Sequence, residues 1–332
     1  MEIDSLFPTR QEDLNYKQSR QAYKHKLDWA VYAFDILPIP SEEIQIAIGS
    51  LNEEVKNRVH IIKFSEDEEF YLSTSFEHEF SPTKIMWDTA GDKILATSSD
   101  NLRLWSTEND EVKLIHKFQN RTSEYVGPLT SFDWSSRDRS KIGVASIDTT
   151  CTIYDVEKLQ TVRQIITHNK EVNDIAFGHD PNVFASVGGD GSLRKFDLRN
   201  LENCSILFET PNVPILRLAW NKINPNFLAL LSLESNKITI IDVRSAAYPY
   251  QILKSHNSYV NGLSWSPNHS CHLCSVGDDS KALIWDLRKN QEEIKEPMMV
   301  YDAVSPIINL TWSMHNEWIC IGYDNYIELL KP

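Results

Sequence analysis

Apolar residues recur along this chain in two ladders that run in phase. One is Ile62, Trp105, Tyr154, Phe196, Ile241, Trp285 and Leu329, at steps of 43, 49, 42, 45, 44 and 44 residues. The other, about 20 residues upstream, is Ile36, Trp87, Trp134, Phe177, Trp220, Trp265 and Trp312. Each member of this second ladder ends a short run such as 172–177 or 260–265, in which apolar and polar residues alternate. Alternation at period two sends one set of side chains to a buried face and the other outward, which predicts strands. A further strand-like run lies between the ladders, at 94–98, 142–146, 183–187, 227–231, 271–276 and 318–321. A fourth follows, as at 112–118, 164–167 and 249–253.

Seven copies of a four-strand unit are the sequence mark of a β-propeller, each unit forming one blade. After Leu329 only Leu330, Lys331 and Pro332 remain, so the seventh unit lacks a fourth strand of its own. The run 21–26 is expected to supply it, closing the ring and removing the open sheet edges that invite aggregation. Residues 1–18 are polar and mixed in charge and are expected to form a disordered tail, with 19–332 one seven-bladed domain.

Charge narrows the function. The formal net charge of −14 disfavours direct nucleic-acid binding, which relies on clustered Lys and Arg. The acidic stretch 66–69 is expected to be a solvated loop between the third and fourth strands of blade one, or a docking site for a basic segment. No apolar run approaches the roughly 20 residues that span a bilayer, and no signal-peptide layout opens the chain, so no membrane role is expected. Five scattered cysteines argue against a disulfide framework and fit a reducing compartment. A cytoplasmic and nuclear location is expected, with nuclear entry through a partner because no long basic run is present.

Candidate chemistry is sparse. Cys271 and Cys274 form a CHLC string that looks like half a zinc site, but residues three apart in a strand project to opposite faces, and no second CxxC completes the set. Neither a metal nor a cofactor is expected. The chain has no phosphate-binding glycine loop, no HExxH string and no GxSxG elbow, and Asp35, Asp133 and Asp174 form no evident acid–base pair. An enzyme is not expected.

The blades resemble those of the WD-repeat family. In blade six, His256, Ser275, Asp279 and Trp285 match that family's buried tetrad, in which the resemblance implies that Asp and Ser hold the His and the His bonds the Trp ring nitrogen. Blade four repeats it as His168, Ser186 and Asp190, with Phe196 in place of Trp. Blade three keeps Ser146, Asp148 and Tyr154 without a matching His. The implied fold is an all-β, seven-bladed WD40 β-propeller with four antiparallel strands per blade, and the tetrads are structural.

More specific strings, PLTSFDW (128–134), SIDTTCTIYD (146–155), EVNDIAF (171–177), FASVGGDGSLRKFDLR (184–199) and ALIWDLR (282–288), are similar to the Transparent Testa Glabra and anthocyanin WD-repeat subfamily. Its animal members are cullin-4-associated, kinase-binding scaffolds. That likeness implies a non-catalytic scaffold, monomeric by itself, that gathers a protein kinase or transcription regulators.

Function on such a body is expected at its top rim, where loops enter the innermost strands and tight turns join the second and third. Aligning the units places Tyr32, Thr83, Thr130, Glu171, Asn173, Leu216, Tyr259, Asn261 and Ile308 at strand entries, beside the turn residues Ile147 and Asp278. A second constellation is the Asp, any residue, Arg ending: Asp197 with Arg199, Asp242 with Arg244, and Asp286 with Arg288. Arg199 and Arg288 match the WDxR motif that docks substrate receptors of cullin-4 ubiquitin ligases on their adaptor, and Arg244 matches it less well. The competing role for these arginines is to pair with their own aspartates.

Overall fold

A computed structural model describes residues 21–332 except 42, 53–55, 66–68, 91, 120–126, 202–203, 290 and 316. The tail 1–18 and most of the acidic stretch 66–69 therefore lie outside the described residues; Glu69 opens the outermost strand of blade one.

Seven antiparallel sheets follow one another in chain order. Blade one comprises Ala30–Ile36, Ile44–Leu51, Asn57–Ser65 and Glu69–His78, and the later blades repeat that order outward from the axis. Blade seven takes its outermost strand from the other end of the chain. Ala22–Lys26 pairs antiparallel with Tyr326–Leu330, from Ala22 opposite Leu330 to Lys26 opposite Tyr326. Leu27 N–H donates to the Asn325 carbonyl at 2.8 Å, Asn325 Nδ2 donates back to the Leu27 carbonyl at 2.9 Å, and the Tyr23 ring lies 4.7 Å from Phe64 in blade one. The expected closure is present.

Two features go beyond the four-strand plan. The outermost strand of blade five, Gln251–Leu253, has only three residues, and Glu293–Ile294 from the foot of blade six pairs parallel beside it, giving a five-stranded sheet with Ile294 buried. The innermost strands of blades one, three, four, five and six each carry a bulge at their third or second residue: Tyr32, Thr130, Asn173, Leu216 and Asn261.

The core lies between adjacent blades, and both apolar ladders feed it. The upstream ladder favours Trp because a large ring fills an interblade gap and, at every Trp of the ladder but Trp312, its N–H reaches a carbonyl. Trp134, Trp220 and Trp265 donate to Arg139, Pro225 and Ala219 at 2.7, 2.8 and 3.0 Å. No helix among the described residues is long and apolar enough to cross a membrane.

Candidate functional site

The tetrads sit inside the blades. In blade six, Asp279 contacts His256 Nδ1 at 2.9 Å, His256 Nε2 meets Ser275 Oγ at 2.8 Å, and Trp285 Nε1 donates to that same Ser275 oxygen at 2.8 Å. This corrects the order implied by the resemblance. The serine, and not the histidine, receives the indole, because one hydroxyl oxygen accepts from Trp while it also faces the His ring. Blade four has the same arrangement without the indole: His168 bonds Asp190 at 2.9 Å and Ser186 at 2.8 Å. Burial pushes both histidines toward the neutral form.

A third set escaped sequence reading. His78 Nε2 and Trp105 Nε1 both meet Thr97 Oγ1 at 2.9 Å, with Thr standing in for Ser. Burial lowers the His78 pKa to about 4. The available signal was spacing, since 19 residues separate His78 from Thr97 as they separate His256 from Ser275. In blade three, Ser146 Oγ turns instead to the carbonyls of Gly127 and Pro128.

The strand-entry residues divide by their environment. Thr130, Asn173 and Asn261 stand at bulges, which aim their donors across to the next blade: Thr130 Oγ1 to the Val172 carbonyl at 2.6 Å, Asn173 Nδ2 to that of Ile215 at 2.9 Å, and Asn261 Nδ2 to that of Ile307 at 2.9 Å. Asn261 also holds Asp278 at 2.6 Å. Thr83 bonds Ser98 within blade two. Tyr32, Leu216 and Ile308 are half-buried, and Tyr32 packs against the core between blades one and two. Glu171, Ile147, Tyr259 and Asp278 are exposed.

The turns around these residues carry an apolar surface that strand alignment missed. Leu51, Phe80, Ile147, Val213, Leu233, Tyr259 and Val304 lie at strand entries or at turns between second and third strands, and all are between 39% and 84% exposed. These seven large apolar side chains stand at the strand entries and turns of the ring, while eleven others of comparable exposure are spread over the outer strands and remaining loops. The positions picked out by aligning the units include Ile147 and Tyr259 and not the other five.

At the axis, a cavity of about 290 Å³ is lined by Asp35, Asp133 and Asp174 with Lys84, Arg217 and Lys222. The carboxylates tie blades together. Asp35 accepts from the Trp87 N–H at 2.9 Å and from Thr311 Oγ1 at 2.9 Å, Asp133 from the Phe177 N–H at 2.7 Å and Lys222 Nζ at 2.9 Å, and Asp174 from the Leu218 N–H at 2.9 Å. Burial raises the Asp35 pKa to about 6 against the pull of those donors.

On the opposite face, each Asp, any residue, Arg ending closes on itself. The Nε and Nη2 groups of Arg199 meet Asp197 at 2.8 and 2.6 Å, and those of Arg244 meet Asp242 at 2.9 and 2.6 Å. Those of Arg288 meet Asp286 at 3.1 and 2.9 Å. Arg199 also reaches Asp180 at 2.9 Å. These forks hold Asp197 well below the usual carboxylate range and lower Asp242 and Asp286 as well, while the guanidinium groups remain partly exposed.

Cys274 is buried in the core between blades six and seven, so it cannot join Cys271 in a shared site.

Comparison with known proteins agrees with this architecture. The WD domain, G-beta repeat model matches residues 159–197 and 247–286. The DDB1- and CUL4-associated factor 7 homolog of Dictyostelium discoideum is 42% identical over 323 residues, covering 95% of this chain and 99% of that protein. An uncharacterized WD repeat-containing protein of Schizosaccharomyces pombe is 29% identical, covering 98% and 93%. A WD repeat-containing protein of Saccharomyces cerevisiae is 32% identical over 76% of this chain and 56% of its own length. With seven blades, buried tetrads and 42% identity to the first of these relatives over nearly the whole of both chains, this chain belongs to the WD-repeat family of scaffold propellers, in the group that contains the DDB1- and CUL4-associated factor 7 homolog.

Proposed function

We propose that this chain is a non-catalytic WD40 scaffold that assembles protein complexes on its top face, gathering a protein kinase, transcription regulators or both. The observation that carries this reading is the ring of exposed apolar side chains, from Leu51 and Phe80 through Tyr259 to Val304, held on turns of a stiff closed body. Such a face supplies orientation and effective concentration to its partners and no bond-making chemistry. Tyr259 and Phe80 are the anchors of choice, because aromatic residues are enriched at interfaces and Tyr among the few residues that carry most of the binding energy. The strings at 128–134, 146–155 and 184–199 support a place near the Transparent Testa Glabra subfamily. The chain works in cytoplasm and nucleus, and is a monomer by itself.

A second reading, a substrate receptor of a cullin-4 ligase, is favoured by the guanidinium groups of Arg199, Arg244 and Arg288 on the other face and by the name of the Dictyostelium relative. The forks leave the Nη1 edges of Arg199 and Arg244 outside the ion pair, as an adaptor would require. Affinity purification with mass spectrometry separates the two. Phe80→Ala with Tyr259→Ala and Val304→Ala is expected to strip kinase or regulator partners and spare an adaptor. Arg199→Ala with Arg288→Ala is expected to do the reverse. Unchanged partners in both variants count against both readings.

A further inference from the structure

We propose that the foot of blade six is a transition-metal site, with zinc the ion its donors suit, held by Cys271, His272 and Asp286. The donor atoms of these three side chains lie within 4.8 Å of one another. Donors bound to one zinc ion at about 2.0–2.3 Å sit roughly 3.5 Å apart, so the cluster needs to close by about 1 Å. Cys271 precedes the strand His272–Gly277, so the alternation that separates Cys271 from Cys274 does not govern its direction. The backbone is already fixed: Leu287 N–H donates to the Cys271 carbonyl at 2.9 Å, Ser266 N–H donates to that of His272 at 2.9 Å, and His272 stands opposite Asp286 in the sheet. A rigid base of this kind keeps donors close before the ion arrives.

The sister blades show that the fold does not ask for these residues. Asp197 stands opposite Val183, which follows Asn182, and Asp242 stands opposite Phe227, which follows Asn226. Both blades keep the same aspartate–arginine fork without a thiol or imidazole. Blade six alone among these three replaces the pair with Cys271 and His272, both buried. Thiolate, imidazole and carboxylate together are the mixed soft and borderline set that zinc takes. The Arg288 fork is no bar, because a carboxylate has about four lone-pair sites and the guanidinium approaches from one edge. The ring of His269 lies 4.9 Å from that of His272, near enough to offer a fourth donor in place of water.

Cobalt reports a thiolate ligand directly. The test uses a Cys204→Ser background, since Cys204 is the exposed cysteine, while Cys151, Cys274 and Cys320 are buried with thiols pushed far up by desolvation. This protein is expected to take up about one equivalent of Co²⁺, with a near-ultraviolet thiolate band and the visible bands of a four-coordinate ion, and Zn²⁺ is expected to displace both. Cys271→Ala is expected to abolish the near-ultraviolet band. His272→Phe, the residue blade five already carries, is expected to weaken uptake by at least about tenfold. Absence of the thiolate band at excess Co²⁺, or its survival in Cys271→Ala, overturns the assignment. The parent spectrum alone decides should a variant fail to fold.

Discussion

Single side chains decide how blades hold together, and two of them make distinct demands. Ser275 is the shared centre of its tetrad, so Ser275→Ala strands the Trp285 indole and the His256 ring at once, an expected loss of about 2–4 kcal/mol. Trp285→Phe removes one donor and leaves His256 satisfied, and Phe196 already fills that position in blade four. It is expected to cost at least about 1 kcal/mol less, read from urea midpoints of the two variants. The reverse ranking would show that the packing volume of the fully buried indole, and not the shared Ser275 hydroxyl, dominates this tetrad. Asp35 acts through protonation. Its folded pKa of about 6 exceeds the ordinary carboxylate value, so its contribution is fully present below about pH 4 and is lost as pH rises through 6. Asp35→Asn keeps an acceptor for the Trp87 N–H and removes the titration. Its stability advantage over wild type is expected to grow between pH 4 and 6 and then level off, with an upper bound of about 3 kcal/mol that water in the channel lowers. A difference constant across that window refutes this account.

Strands and turns were legible in the sequence to different degrees. The innermost and third strands were found because their buried faces impose period two, and Trp87, Trp134 and Trp285 mark their ends. The outermost strands were placed less well: 164–167 was expected where Gln160–Ile166 is found, since a strand with one open edge carries a weaker pattern. The bulges at Thr130, Asn173 and Asn261 left no composition signal, so residues that join blades looked like free rim contacts. Turn chemistry supplies a prediction at this scale. Thr149, in the turn between the second and third strands of blade three, has φ 74, and the matching residue in blade four is Gly191 with φ 76. A β-branched residue is strained there. Thr149→Gly is expected to raise stability by about 1 kcal/mol in thermal unfolding. Gly191→Ala is expected to lower it by more, because a Cβ would lie 2.4 Å from the Thr210 carbonyl. A fall in melting temperature for Thr149→Gly would show that the turn holds its threonine without strain.

At the scale of the whole ring, closure follows from arithmetic that the sequence displays: two ladders of seven positions each, and one missing strand matched by an apolar and polar alternation at the opposite end. What arithmetic could not show is how tightly the seam is held. Tyr23 packs on Phe64 and Trp318, Lys24 Nζ lies 4.0 Å over the Tyr326 ring, and Leu27 is buried between blades seven and one. Glu328, opposite Lys24, receives the hydroxyls of Tyr301 from blade six and Tyr323 at 2.7 and 2.9 Å, so the seam also ties in a neighbouring blade. Deleting residues 1–26 would remove the closing strand and bare the edge of Tyr326–Leu330. Loss of the Tyr23 ring contacts alone amounts to about 2–3 kcal/mol, and an open edge recruits other chains. The truncated protein is expected to melt at lower temperature and to elute as larger species in size-exclusion chromatography. Deleting residues 1–20 keeps every seam contact named here and is expected to leave melting unchanged. A chain lacking 1–26 that stays monomeric with wild-type melting would mean that the interblade core and the axial carboxylates hold the circle without its clasp.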